Sequence, residues 1–312
     1  MTIERTAPGI TLPAIPVEPI GRHATVEALL RHTLARSVSE IVRLDAPVRL
    51  GTDAEDVHQF RVAARRLRSD LRTFAPLLDA NWSGTIRDEL AWLGNEVGAQ
   101  RDADVLATRL AAHLAGLPDR DAADAEPLLA QLAGTTRQGR DRLIVALCSE
   151  RYVSLAERLV EATEHPRLAD GLQASARRPA RSVTADLVAK PWRRLKREAD
   201  AVDSNATDGE LHRIRILAKR ARYAVEAVIP LYGRDAGKFA RSLARLQAVL
   251  GDHHDTTVAE EWLRESATDL PATRVVVGML IASERAERDR LRRRFRTVWK
   301  AVSRDKPQSW LR

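Results

Sequence analysis

Val57-His58-Gln59-Phe60-Arg61-Val62-Ala63-Ala64-Arg65-Arg66-Leu67-Arg68 recurs without gaps as Leu211-His212-Arg213-Ile214-Arg215-Ile216-Leu217-Ala218-Lys219-Arg220-Ala221-Arg222. The match places His212 154 residues after His58, and it continues downstream with a one-residue slip. Leu90, Leu93, Val97, Gly98, Asp102 and Val105 fall against Leu243, Leu246, Leu250, Gly251, Asp255 and Val258. Agreement in spacing and type over so long a stretch marks an internal duplication rather than a shared helical period.

On a helical wheel with His58 at zero, Arg61, Arg65, Arg68 and Arg72 fall within about 60° of one another. Phe60, Leu67, Leu71 and Phe74 occupy the opposite side, so this is a helix with a core face and a basic stripe. The second copy repeats the stripe with His212, Arg215, Lys219 and Arg222 and the core face with Ile214, Ala221, Val225 and Val228. Glu226 stands where Arg72 would recur, which weakens an anion site at that end. Each basic helix is preceded by Thr-x-x-Glu, Thr52 to Glu55 and Thr207 to Glu210, a capping pattern that would fix the helix start just ahead of each histidine. Like charges three and four residues apart repel, so a stripe placed twice implies an anion to put there.

Outward from these segments the apolar residues recur at helical spacing and Ala, Leu and Arg dominate, so the chain reads as all-α. The spacing predicts helices over 24–45, 53–78, 82–98, 101–115, 122–163, 180–202, 208–230, 236–250, 255–267 and 271–303. Breaks are expected at Gly51, Asn81, Gly98 to Arg101, Pro118, 164–179, Gly233, Gly251 and Pro271. Residues 1–22, with Pro8, Pro13, Pro16 and Pro19, read as an extended tail. The 164–179 stretch divides the remainder into halves of about 23–165 and 177–312.

The 312 residues carry 51 Lys and Arg against 43 Asp and Glu, a net charge of +8 that is strongly segregated. Segments 56–72, 177–197, 211–222 and 285–306 together hold +22, leaving −14 for the rest, and only six of the bases are lysine. That bias suits bidentate phosphate contacts and points to a polyanion partner. Lys190, Arg193 and Arg197 share one face of the 180–202 helix, which Pro191 would kink or restart. Arg285, Arg288, Arg292 and Arg296 share a face of the final helix, and Lys306 follows it.

Cys148 is the single cysteine, so an intramolecular disulfide or a multi-cysteine zinc site is excluded. No run approaches about 18 apolar residues and the N-terminus lacks a signal-peptide pattern, so a soluble cytoplasmic protein is expected. Gly251-Asp252-His253-His254-Asp255 and Arg101-Asp102-Ala103-Asp104 would be the ligands if this were a metal-dependent phosphoryl-transfer or phosphohydrolase enzyme. Adjacent histidines in a helix point about 100° apart, however, and aspartates just after a helix break are explained by N-capping. A nucleic-acid reading shares the charge but lacks aromatics among the bases for stacking. A scaffold for a peptide or partner protein also fits these features.

At the Val57–Arg68 segment the sequence strongly resembles the conserved histidine α-helical domain, CHAD. The resemblance extends from about residue 24 to Trp310 through Leu211–Tyr223, Leu93-Gly94-Asn95-Glu96-Val97-Gly98-Ala99-Gln100-Arg101-Asp102-Ala103-Asp104-Val105, and Leu246-Gln247-Ala248-Val249-Leu250-Gly251-Asp252-His253-His254-Asp255-Thr256-Thr257-Val258. It implies two four-helix-bundle subdomains related by a pseudo-twofold, with a basic central cavity that binds inorganic polyphosphate without catalysis, cofactor or metal. Carried over residue by residue, it implicates His58, Arg61, Arg65 and Arg68, then His212, Arg215, Lys219 and Arg222, with Arg101 and His254 at the rim. Arg72, Lys190, Arg193, Arg197, Arg288, Arg292 and Lys306 join the expected site through their stripes. Nothing in 1–22 matches the Glu-x-Glu-x-Lys start of the triphosphate-tunnel domain found in many relatives, so a stand-alone CHAD protein without that hydrolase activity is expected, with polyphosphate granules as a place of association.

Overall fold

In the computed structural model, residues 4–6, 9–51, 53–203, 205–304 and 310 are described. Near the N-terminus β1 (Glu4–Thr6) pairs antiparallel with β2 (Gly9–Thr11). Ile15 then drops into the core, and the Glu18 carbonyl meets His32 Nδ1 at 2.8 Å, docking this segment on the first helix.

The remaining elements are helical. The chain forms α1 (Val26–Leu50), α2 (Ala54–Thr73), α3 (Ala80–Leu114), α4 (Asp119–Ala123), α5 (Glu126–Leu147) and α6 (Glu150–Glu164). After the divide come α7 (Arg181–Ala201), α8 (Asp208–Ala227), α9 (Ile229–Tyr232), α10 (Arg234–Asp269) and α11 (Arg274–Val302). The caps show how sequence sets these limits. Thr207 and Glu210 form the full capping box at the start of α8. At α2, Thr52 lies outside the described residues, and Asp53 is the cap, accepting from the Glu55 N–H at 2.8 Å. Gly51 ends α1 at φ 69°, a left-handed conformation that costs glycine nothing.

Three expectations are corrected. The predicted helix over 122–163 is two, broken at Cys148 and restarted by the Ser149 cap, while α7 is one continuous helix across Pro191 and is not restarted there. Neither Gly98–Arg101 nor Gly251 is a break: α3 and α10 are continuous over 35 and 36 residues. A glycine inside a helix costs about 1 kcal/mol relative to alanine. Burial of Val97 and Leu106 on α3, and of Leu250 and Leu263 on α10, outweighs that cost. Asp102 and Asp255 are therefore mid-helix residues, not caps.

The continuity has an architectural reason. One large apolar core joins α1, α2, α6, α7 and α8 to the N-terminal parts of α3 and α10 and the C-terminal part of α11. A second, smaller core joins Ala103–Leu114 of α3, Leu128 and Leu132 of α5, Leu263 of α10, and Val277 and Leu280 of α11. Helices α3, α10 and α11 pass from one to the other, and α2 crosses α8 at the middle of the molecule. The 165–180 connection is strapped down rather than loose. Its backbone bridges Leu168 to Leu78 and Pro179 to Thr25, reaching both the α2–α3 corner and the start of α1.

Candidate functional site

Between the two cores lies a cavity of about 300 Å³, walled by the middle turns of α2, α3, α8 and α10. From α2 come His58, Arg61 and Arg65; from α8, Arg215 and Lys219; from α3, Arg101, Asp102 and Arg109; from α10, Gln247, His254 and Asp255. The stripes are held there because their opposite faces are locked in the core: Phe60, Leu67, Ile214 and Ala221 are each 0–1% exposed. Six cationic side chains thus face two carboxylates, and among the described residues no Phe, Tyr or Trp lines the space.

The wall is partly pre-wired. Arg61 donates to Asp102 at 2.6 Å, and the Arg65 Nε donates to the Tyr223 hydroxyl at 3.0 Å. Tyr223 is itself fully buried, with the guanidiniums of Arg66 and Arg222 over its ring at 5.7 and 4.8 Å. Arg109 is anchored by the buried Glu284 at 2.7 Å, which also meets His113 at 3.0 Å. Arg65 thereby points into the cavity from a packed support, not from a mobile stem.

Proton affinities register the crowding. Burial, reinforced by Arg215, Arg65 and Arg61 and opposed by Asp255, lowers the Lys219 ammonium from 10.5 to about 7. Burial, then Arg215, His212 and Lys219, pushes His254 down to about 4. His212 and His58 are lowered by burial and by neighbouring cations, Arg215 for the first and Arg101 for the second. The His212 and His254 rings face each other with their Nδ1 atoms 3.3 Å apart. Asp255 is raised by burial despite Arg215. Histidines with lowered proton affinity beside crowded guanidiniums describe a space in which positive charge outweighs the two carboxylates.

Of the sequence-predicted residues, His58, Arg61, Arg65, Arg101, Arg215, Lys219 and His254 converge on this cavity, and His212 joins them through His254. Others are placed elsewhere. Arg222 is held by Glu226 at 3.4 Å, which also binds Arg66 at 2.6 Å, so the acid in the second stripe withdraws that arginine from the wall. Arg288 pairs with Glu260 at 2.6 Å and Arg292 with Asp208 at 2.7 Å; both brace α11 against its neighbours. Lys190, Arg193 and Arg197 are exposed on α7 and do not line the cavity. Arg68 and Arg72 lie beyond it along α2. Lys306 lies outside the described residues.

His253 is turned away from His254 and sits 3.2 Å from Asp208. Among the described residues no three His, Cys, Asp or Glu side chains are arranged to hold a metal ion. Arg109 escaped sequence reasoning, although the spacing Arg101, Val105, Arg109 would mark it once the helix is taken as continuous. No helix among the described residues is long and apolar enough to cross a membrane.

Residues 32–264 match the family model of the CHAD domain. Two uncharacterized Mycobacterium tuberculosis proteins are each 30% identical to the chain over 262 residues, 82% of this chain and 47% of theirs. The chain therefore spans about half the length of the curated relatives it matches. Among solved structures, PptA from Streptomyces chartreusis is similar at a TM-score of 0.73 and 25% identity, over 89% of this chain and 100% of that one. The CHAD domain from the plant Ricinus communis is similar at 0.73 and 25%, over 95% and 97%.

Proposed function

Because the chain belongs to the CHAD domain family, we propose that it binds inorganic polyphosphate in the cavity between α2, α3, α8 and α10 and does not turn the polymer over. The observation that carries this reading is the convergence of six cations from four helices on about 300 Å³ with only two carboxylates among them. A linear chain of phosphates presents an unbranched run of acceptor oxygens, which the forked guanidiniums of Arg61, Arg65, Arg101 and Arg215 match. A lining without aromatic stacking surfaces among the described residues favours a bare phosphate polymer over a nucleic acid. Asp102, already engaged by Arg61 at 2.6 Å, is poorly available to a catalytic metal.

In the same reading the molecule is two four-helix subdomains, 23–165 and 177–312, related by a pseudo-twofold that brings the His58 and His212 stripes to one site. The aligned repeats and the paired walls α2 with α8 and α3 with α10 support it. Association with polyphosphate granules in the cytoplasm is the setting it implies.

The test compares polyphosphate, duplex and single-stranded DNA, and ATP as ligands at about 150 mM salt, where weak surface attraction is screened. Polyphosphate should bind most tightly, and Arg65→Ala with Arg215→Ala should cost on the order of 1.5–3 kcal/mol per lost charge-assisted contact. Equal or tighter DNA binding overturns the proposal, as does phosphate release from polyphosphate with Mg²⁺ above a buffer control.

A further inference from the structure

Along α2 the basic stripe does not stop at the cavity. Arg68 and Arg72 continue it past Arg65 by about 5 and 10 Å of helix axis. At that level α3 brings Arg87, α8 brings Arg220 and α7 brings Arg194. Arg72 is close enough to Arg220, Arg87 and Arg68 for their charges to act on one another, and Arg220 is similarly placed toward Arg194 and Arg68. Among the described residues no carboxylate acts on either of them. The Nε groups of Arg68 and Arg87 are buried without a hydrogen-bond partner. Arg72 and Arg194 are exposed, so the cluster opens to solvent.

Three other arginine groups are each met by a carboxylate. Glu260 receives Arg264, Arg285 and Arg288, Glu226 receives Arg66 and Arg222, and Glu284 receives Arg109. Among the described residues these five guanidiniums, drawn from four helices, have no carboxylate partner of that kind, and like charges crowded in this way repel one another. The geometry points to a second anion subsite at Arg68, Arg72, Arg87, Arg194 and Arg220, which receives the part of a polyphosphate chain that runs out of the cavity along α2. It rests on the reading of the cavity given above, and it makes the protein selective for long chains. A short chain is confined to the cavity, whereas a long one already held there meets the cluster at high effective concentration.

The experiment measures binding of tripolyphosphate and of long-chain polyphosphate to the wild-type chain and to Arg72→Ala/Arg87→Ala/Arg220→Ala. Tripolyphosphate affinity should be unchanged within about twofold, while long-chain affinity should fall at least about tenfold, or 1.4 kcal/mol. The salt dependence of long-chain binding should flatten by about 2 in log–log slope, about 0.7 for each of three lost contacts. A second variant, Arg72→Ala/Arg194→Ala, changes only exposed side chains and should show the same selective loss should the triple variant fail to fold. Equal loss for both ligands, or no loss for either, overturns the subsite. Failure of the wild-type chain to bind either phosphate instead overturns the reading of the cavity.

Discussion

Polyphosphate binding should take up protons, and Lys219 sets how many. With its ammonium at about 7 in the free protein, only about one molecule in ten carries that proton at pH 8. Burial is the largest cause of the lowering and remains when a phosphate chain is seated beside Lys219, but the chain offsets the repulsion of Arg215, Arg65 and Arg61 and so raises the group part of the way back. Each binding event at pH 8 then takes up a fraction of a proton, at most about 0.9, and affinity falls with rising pH above about 7 by at most about tenfold per unit. At pH 6 the lysine is already charged and contributes about 0.1 proton. In the free protein the sign is opposite. An unfolded chain keeps its lysine protonated up to about 10.4 and the folded chain releases that proton near 7, so stability rises with pH across this window. Calorimetric titration at pH 8 in buffers of different ionisation enthalpy reads the uptake directly. The reasoning is refuted if the wild-type chain takes up less than about 0.2 proton, or if Lys219→Met leaves the uptake unchanged.

Two further perturbations test the frame around the site. An added Cβ at Gly139 of α5 would lie 2.9 Å from the Gln100 Cα, one residue before Arg101. Gly139→Ala should therefore destabilise by about 1–2 kcal/mol, overpacking outweighing alanine's helix preference, and thermal melting would show a gain in stability if the contact were loose. Burial pushes the Glu260 carboxyl up, but hydrogen bonds from Arg285, Arg264 and Arg288 hold it down at about 2. Its depressed value contributes stability above about pH 4.3 that is lost as pH falls toward 2, so Glu260→Gln should flatten the acid limb of melting temperature against pH. An unchanged limb would assign that acid sensitivity to other carboxylates.

Periodicity carried the helical class, the duplicated stripes and most of the cavity wall, because a residue's face on its own helix follows from spacing alone. What it could not carry is who stands opposite. Arg222, Arg288 and Arg292 look like Arg65 and Arg215 in sequence, yet Glu226, Glu260 and Asp208 neutralise them from one turn away or from another helix. Arg140, which sequence alone would make an indifferent surface residue, donates to the Val48 and Arg49 carbonyls and holds α5 against the end of α1. Gly98 and Gly251 read as breaks because local propensity is visible in sequence, while the two cores that override it are assembled from distant segments.

Those two cores give the molecule an uneven cross-section. Between them lies a cavity lined mostly by basic side chains, and α3 and α10 pass beside it with Gly98 and Gly251 a turn from its lining residues Arg101 and His254. Local opening is favoured where apolar contacts are fewest, and between the two cores the lining is mostly polar. An anion that bridges α2, α3, α8 and α10 acts there as a rivet. If the proposed binding holds, rigidity itself becomes a readout: hydrogen exchange in α3 and α10 should slow when polyphosphate fills the cavity.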